Sequence, residues 1–227
     1  MPMVIGVANR VSEALPLADL WIAKDDKRIE DDAIGYGYQV MLTNVDHKSG
    51  TGRIAEVTKK LGWSSDVIII NVQGDEPLID VGLLRKFAEF CVNNESLAMA
   101  SVMVPVDCWQ DIHDPNVVKV TVNKAGQATA FSRSPIPYCR DVPFADWPTH
   151  LYNRHIGIYA YRASVLTELS ASSPSALERL EKLEQLRALW LGHSISMLNW
   201  LESVHAGVDC LDDVCRVRKI LNNSVSK

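Results

Sequence analysis

The chain has no C-x-x-C pair, no long uncharged apolar run and no excess of positive charge, and each absence removes a class of function. Its five cysteines are Cys91, Cys108, Cys139, Cys210 and Cys215. Scattered and odd in number, they fit free or buried thiols in a reducing compartment better than a disulfide framework or a zinc site. No apolar segment is long enough to span a membrane, and no signal-peptide pattern opens the chain. A net charge of −5 and a pI near 5.7 argue against non-specific binding to nucleic acid or to an anionic membrane surface. An anionic substrate would therefore need a locally basic site on an acidic protein. Neither an internal repeat nor a low-complexity segment occurs. What is present is 227 residues, 47% of them hydrophobic, enough for one α/β domain or one domain with an inserted subdomain.

Val4, Val7 and Val11 recur at helical spacing and predict a helix over 2–14. Leu20 to Ala23 reads as a short strand, 27–35 as a helix stopped by Gly35 or Gly37, and Tyr38 to Thr43 as the next strand. Because an α/β sheet normally opens with a strand, this order leads one to expect a strand ahead of Met1. A helix follows with Ile54, Val57 and Leu61 inward, then the β-branched run Val67 to Ile70, which reads as a strand buried on both faces. A helix over 80–92 and a strand over 97–104 come next. Val117 to Val122, a turn at Asn123–Gly126 and Ala128 to Ser132 form a hairpin pattern. Pro135, Pro137, Pro143 and Pro148 punctuate a long loop, and Asn153 to Tyr161 resumes as a strand. Residues 105–160 thus read as a β-rich insertion within a single domain covering 1–227. The spacing predicts one helix over 177–190, with Leu180, Leu183, Leu186, Leu189 and Trp190 inward and Glu181, Glu184, Gln185 and Arg187 off that stripe. A strand at 195–200 and a helix at 212–221 close the chain.

Two stretches carry chemistry. Asn71-Val72-Gln73-Gly74-Asp75-Glu76-Pro77 follows the buried strand, and ligands of α/β sheets bind beyond the carboxyl ends of strands. Asp75 there is either a crevice carboxylate or part of a solvated acidic turn. The polar loop Asp46 to Arg53 feeds a helix and offers free backbone N–H groups to an anion or a nucleobase edge. Alternatively, Ser49 or Thr51 simply caps that helix, and His47 is a hydrogen-bonded loop residue.

Several stretches taken together go further. His47-Lys48-Ser49-Gly50-Thr51, Asn71 to Pro77, Phe131-Ser132-Arg133 with Ile136-Pro137, His155 to Tyr159, Leu183 to Arg187 and Gly207-Val208-Asp209 occur in that order. The series resembles the 3-deoxy-manno-octulosonate cytidylyltransferase (CMP-Kdo synthetase) family over nearly the whole chain. The resemblance implies a Rossmann-like nucleotidyltransferase fold, α/β, with a mixed, mostly parallel sheet and helices on both faces. It implies transfer of CMP from CTP to the sugar acid Kdo for lipopolysaccharide synthesis, with Mg²⁺, in the cytoplasm, by a homodimer. It further implies Asp75 and Asp209 as catalytic residues that act as magnesium ligands, and Ser49, Arg53 and Gln73 along the cytidine and phosphates. Gln73, Arg133, Arg140, His155, Tyr159, Glu184 and Gln185 would hold the sugar. An arginine suits the sugar carboxylate, and mixed donors and acceptors suit its hydroxyls.

The sequence departs from the family pattern twice. The family's opening strand and its phosphate loop, P-A-R-x-x-S-x-R-L-P-G-K, have no counterpart, since Met1 to Val4 matches the segment after that loop. Gly52 stands where the family usually has an acid, which removes a carboxylate from the positive end of a helix. These departures keep two alternatives in view: a truncated, catalytically incompetent assembly remnant, and a cytidylyltransferase for another acid sugar.

Overall fold

The computed structural model describes residues 1–47, 49–205, 207, 208 and 210–225, with only backbone described at 212 and 221–225. In chain order the elements are α1 (Met3–Ala14), β1 (Trp21–Lys24), α2 (Lys27–Gly35), β2 (Gln39–Leu42), α3 (Gly50–Leu61), β3 (Ile68–Asn71) and α4 (Val81–Val92). Then come β4 (Met99–Pro105), α5 (Trp109–His113), β5 (Lys119–Val122), β6 (Ala128–Ser132), two 3₁₀ turns at Phe144–Asp146 and Thr149–Leu151, and β7 (Asn153–Arg162). The last are α6 (Ala163–Ala171), α7 (Ala176–Glu181), α8 (Gln185–Trp190), β8 (Ile195–Asn199) and α9 (Leu211–Val225).

Two compact units form. The first comprises Met1–Val45, Val72–Ala88 and Ser203–Lys227. Its β1 and β2 pair in parallel, Trp21 opposite Gln39 through Lys24 opposite Leu42, as a helical crossover between two strands requires. Asp26 starts that crossover helix by accepting the Arg28 N–H at 2.9 Å. Ile5 and Ala8 of α1 close on Ile22 and Ala33 to make a small core. Leu83, Leu84 and Phe87 of α4 are also fully buried.

The second unit comprises Asp46–Asn71 and Glu89–Glu202. Its sheet is organised around β7, the longest strand. One edge of β7 pairs with β4, and the other is shared by β5 at its start and β3 at its end. Beyond β4 lies β8, parallel to it, and beyond β5 lies β6. The Met197 N–H donates to the Gly126 carbonyl at 2.8 Å, so the hairpin turn comes back onto β8 and the sheet curls. Met99, Met103, Phe131, Tyr161, Leu166, Leu186 and Ile195 are among the side chains that fill its core.

Strand sense follows the expected mixed pattern: β3, β4, β5 and β8 run one way, β6 and β7 the other. Most strands thus run one way, as a mixed, mostly parallel sheet requires. Because β7 is inserted between these parallel-running strands, its own ladders are antiparallel.

The leucine stripe over 177–190 is corrected. The helix breaks at Lys182, which adopts φ 55°, and two short helices result. Ser175 and Glu178 close a reciprocal capping box at the start of α7. The break rotates the two halves out of register, so Leu183 and Leu186 are buried while Leu180 and Trp190 are 80% and 64% exposed. The short helices α5 and α6 had no counterpart in the sequence reading.

Candidate active site

The first unit supplies the acidic turn after β3. Backbone bonds fold it: Glu76 N–H to Gln73 O at 3.3 Å and Ile79 N–H to Glu76 O at 3.1 Å. The Val208 N–H donates to the Asp75 carbonyl at 2.9 Å, so the chain just before residue 209 runs alongside Asp75. Gly207 makes that approach possible. A Cβ there would lie 3.0 Å from Glu76 Oε1 and 3.3 Å from the Asp75 carbonyl, tighter than ordinary contact, so a side chain would oblige these neighbours to give way. Asp209 itself lies outside the described residues. Asp75 Oδ1 is buried and has no hydrogen-bond partner among the described residues. An anionic oxygen shut away from water without a donor is costly, and a cation relieves that cost. Gln73 is exposed on the same turn.

The second unit supplies the remaining residues expected from the sequence. Ser49 is the N-cap of α3 and accepts the Gly52 N–H at 3.3 Å, and Arg53 lies in the first turn of the same helix. At Gly52 a Cβ would sit 3.1 Å from His47 Nδ1. The imidazole therefore lies against the space an acid would otherwise take, and its Nε2 pairs with Glu56 at 2.5 Å, one turn further along α3.

On β7 the residues at 155, 159 and 161 present one face. The register against β4 slips by two residues, from Ser101 opposite Tyr159 to Val102 opposite Ile156, and an even slip preserves the alternation. The ring of His155 lies 5.3 Å from that of Tyr159, and Tyr159 lies 6.0 Å from Tyr161. Burial lowers the pKa of His155 to about 3 and holds it neutral. Tyr159 donates to Gln185 Oε1 at 3.1 Å. Glu184 and Gln185 enter at the first turn of α8, placed there by the helix break. Glu184 Oε2 accepts the Thr51 hydroxyl at 2.7 Å. Gln185 is 3% exposed, and its Nε2 has no partner among the described residues. Thr51, Tyr161, Glu184, Gln185 and Arg187 line a small pocket with Met99 and Leu169, with room for a water-sized group.

The arginines divide. Arg187 is a structural clamp: Nε reaches Glu178 at 2.8 Å, Nη2 meets the same carboxylate, and Nη1 reaches the Leu169 and Ser172 carbonyls. Arg133 is partly committed, with Nε on the Glu181 carbonyl at 2.7 Å and Nη1 on the Pro115 carbonyl at 2.8 Å. Arg140 is at the surface beside Asp141, its side chain 87% exposed. The structure therefore brings His155, Tyr159, Glu184 and Gln185 together, and leaves Arg140 apart from the pocket lining. The sequence assigns Tyr161 and Ser101 no role here, and offers Thr51 only within the polar loop or as a helix cap. Tyr161 was accessible, being two residues from Tyr159 on one strand face; the pairing of Thr51 with Glu184 left no local signal.

A family model described as cytidylyltransferase matches residues 1–195. The chain is 48% identical over 221 residues to 3-deoxy-manno-octulosonate cytidylyltransferase 2 of Paraburkholderia phytofirmans, covering 97% of this chain and 84% of that protein. It is 43% identical over 219 residues to 3-deoxy-manno-octulosonate cytidylyltransferase of Alteromonas mediterranea, covering 95% and 88%. The chain belongs to the 3-deoxy-manno-octulosonate cytidylyltransferase family. Membership makes it a nucleotidyltransferase by descent. A solved structure of CMP:2-keto-3-deoxy-manno-octonic acid synthetase complexed with CTP superposes with a TM-score of 0.89 at 34% identity, over 98% of this chain and 88% of that one. The Rossmann-like nucleotidyltransferase fold expected from the sequence is thereby established. A 4-diphosphocytidyl-2C-methyl-D-erythritol synthase shares the fold at a TM-score of 0.61 and 13% identity, over 96% and 88% of the two chains. Cytidylyltransferases of this type generally use a divalent metal.

Proposed function

We propose that the chain transfers CMP from CTP to 3-deoxy-manno-octulosonate, releasing pyrophosphate and giving CMP-Kdo for lipopolysaccharide synthesis. A sugar hydroxyl oxygen bonds to the α-phosphorus, the bond from that phosphorus to the bridging oxygen breaks, and pyrophosphate leaves with the electron pair while the hydroxyl proton is released. The observation that carries this reading is the pairing of unused groups on consecutive residues. Gln185 Nε2 is a buried donor without a partner, and Glu184 uses only Oε2 among the described residues. A buried donor beside a carboxylate with a spare oxygen suits a polyol hydroxyl, which both accepts and donates.

Asp75 fits a divalent cation because of its orphaned buried oxygen, and the approach of Val208 to its carbonyl supports Asp209 as the second ligand. Carboxylates are hard oxygen donors, so Mg²⁺ is the metal we assign. When bound, it neutralises the charge of the triphosphate. Ser49, Arg53 and Gln73 serve the nucleotide. His155, Tyr159, Glu184 and Gln185 serve the sugar, with Arg133 Nη2 and the exposed Arg140 available to its carboxylate. The 227 residues work as one nucleotidyltransferase domain in which 105–160 is an insertion.

The partner is a second copy of the chain. Tyr138, Phe144 and Leu151 are 70%, 54% and 61% exposed, and Tyr138 and Phe144 pack edge-on to the buried Trp147, a patch suited to burial against another subunit. Phe144→Asp should convert a sedimenting dimer to monomer; a wild-type monomer at micromolar concentration would remove the assignment. Among the described residues no helix is long and apolar enough to cross a membrane, and all five cysteines are free, which supports a cytoplasmic site of action.

The test of the reaction is pyrophosphate release from CTP with Kdo, with a sialic acid and with an amino-substituted Kdo, each product identified by mass. CMP-Kdo as the dominant product is expected. Absence of any nucleotide-sugar product would discard the reading.

A further inference from the structure

We infer that Thr51 is the positioning residue that sets the Glu184 carboxylate for the sugar acid and ties it to the first turn of α3. The inference rests on the sugar-acid reading above. Thr51 is the second residue of α3 and is buried, at 7% exposure; Tyr161 is buried on β7, at 3%. Residue 184 lies 133 positions away in sequence, yet the Thr51 hydroxyl donates to its Oε2 at 2.7 Å. Tyr161 lines the same small pocket as Thr51 and Glu184.

The direction of the bond is fixed by chemistry. An ionised carboxylate only accepts, so the single Thr51 proton goes to Glu184. That bond consumes one carboxylate oxygen and leaves the other to a ligand. It also settles the rotation of Glu184, whose neighbour Gln185 is held in turn by the Tyr159 hydroxyl at 3.1 Å. Thr51 and Tyr159 thus fix two consecutive side chains at the start of α8. Thr51 lies between Ser49 and Arg53, which we assign to the nucleotide, so a shift of this helical turn on nucleotide binding reaches Glu184 through one hydrogen bond.

Thr51→Val keeps the shape of the side chain and removes the hydroxyl; Thr51→Ser keeps the hydroxyl. In pyrophosphate release with CTP and Kdo, Thr51→Val should raise KM for Kdo about tenfold, as expected for losing a hydrogen bond to a charged group, with KM for CTP within about twofold. Thr51→Ser should return KM for Kdo to within about threefold of the wild type. A folded Thr51→Val with wild-type KM for Kdo, or one that raises both KM values alike, overturns the inference. If Thr51→Val does not fold, Thr51→Ala decides: an unchanged KM for Kdo overturns the inference, a raised one with KM for CTP within about twofold supports it. Titration calorimetry with Kdo separates failure of the inference from failure of the reaction. If the wild type binds Kdo but releases no pyrophosphate, the reaction falls. The two proteins are then compared by Kd, and equal values overturn the inference. If the wild type neither binds nor uses Kdo, both fall.

Discussion

The turn at Gln73–Glu76 and the surroundings of Glu184–Gln185 handle polarity in opposite ways. The turn is shaped by backbone bonds, and its key side chain is left wanting: Asp75 Oδ1 is buried with no donor among the described residues. Around α8 the side chains themselves do the shaping. Thr51 fixes Glu184, Tyr159 fixes Gln185, and Glu178 and Arg187 form a nearly buried pair beneath them, with side-chain exposures of 9% and 11%. The difference matches the two jobs proposed for them. A site for a cation can leave charge uncompensated in the protein, because the ion brings the opposite charge. A site for a polyol needs donors and acceptors at set positions, because each hydroxyl bond is weak and geometry supplies the selectivity.

The largest effect should come from removing the waiting charge. Asp75→Asn should lower pyrophosphate release at saturating substrates by about a thousandfold or more, since charge stabilisation in the transition state commonly contributes that much. It should also remove the response of stability to Mg²⁺. At a hundred times its Kd a ligand stabilises by about 2.7 kcal/mol, which moves the melting temperature of a chain this size by several degrees. Wild-type protein should show that rise and Asp75→Asn should not. A variant that still melts higher with Mg²⁺ would place the cation elsewhere and remove the contrast with the α8 pocket.

Gln185→Leu probes the other side and should act on affinity instead. It removes the unpartnered donor and frees the Tyr159 hydroxyl, so KM for Kdo should rise about ten- to a hundredfold while KM for CTP and the thermal response to Mg²⁺ stay near wild type. Loss of the Mg²⁺ response in this variant would show that the two regions do not divide the work as stated.

Local chemistry made much of the first region legible. The β-branched run Val67 to Ile70 ends in Gly74 and Pro77, so a strand followed by a turn bearing acids can be read directly, and β3 and the turn are where that reading puts them. The α8 pocket was not legible in this way. A leucine stripe at 180, 183, 186 and 189 is continuous on paper, and nothing in Glu181-Lys182-Leu183 resembles a glycine or proline stop. Only tertiary packing, which draws Leu183 and Leu186 inward, shows why the chain breaks at Lys182 and turns Glu184 and Gln185 into the pocket. The pairing of Thr51 with Glu184 is a contact between distant segments that no periodicity encodes; the family resemblance pointed to Glu184 as a sugar residue and, though Thr51 stands in its motif, gave Thr51 no role. α6 is a milder case. Ala163, Leu166 and Leu169 sit at helical spacing and are buried, yet they follow β7 with no loop between to mark the change.

The smallest effect concerns the neutrality of the α8 side, and it is read in stability. Ser101 Oγ lies 2.7 Å from the Ile158 carbonyl and 2.8 Å from His155 Nε2. Its one proton goes to the carbonyl, so Nε2 carries the hydrogen and donates to the serine, leaving Nδ1 as an acceptor. Phe131 and Tyr159 flank the ring at 5.1 and 5.3 Å, and burial lowers its pKa to about 3. The folded value is below the unfolded one of about 6.5, so between those limits the unfolded chain binds a proton that the folded chain does not. The contribution of His155 to stability is complete above about pH 6.5 and is lost as pH falls toward 3, at about 1 kcal/mol over the first unit. Urea midpoints measured at pH 7.5 and 5.5 should therefore fall further for wild type than for His155→Gln, the carboxylates being common to both. Equal falls would mean that the imidazole is protonated in the folded protein, and the sugar side would then carry a positive charge of its own near pH 5.5.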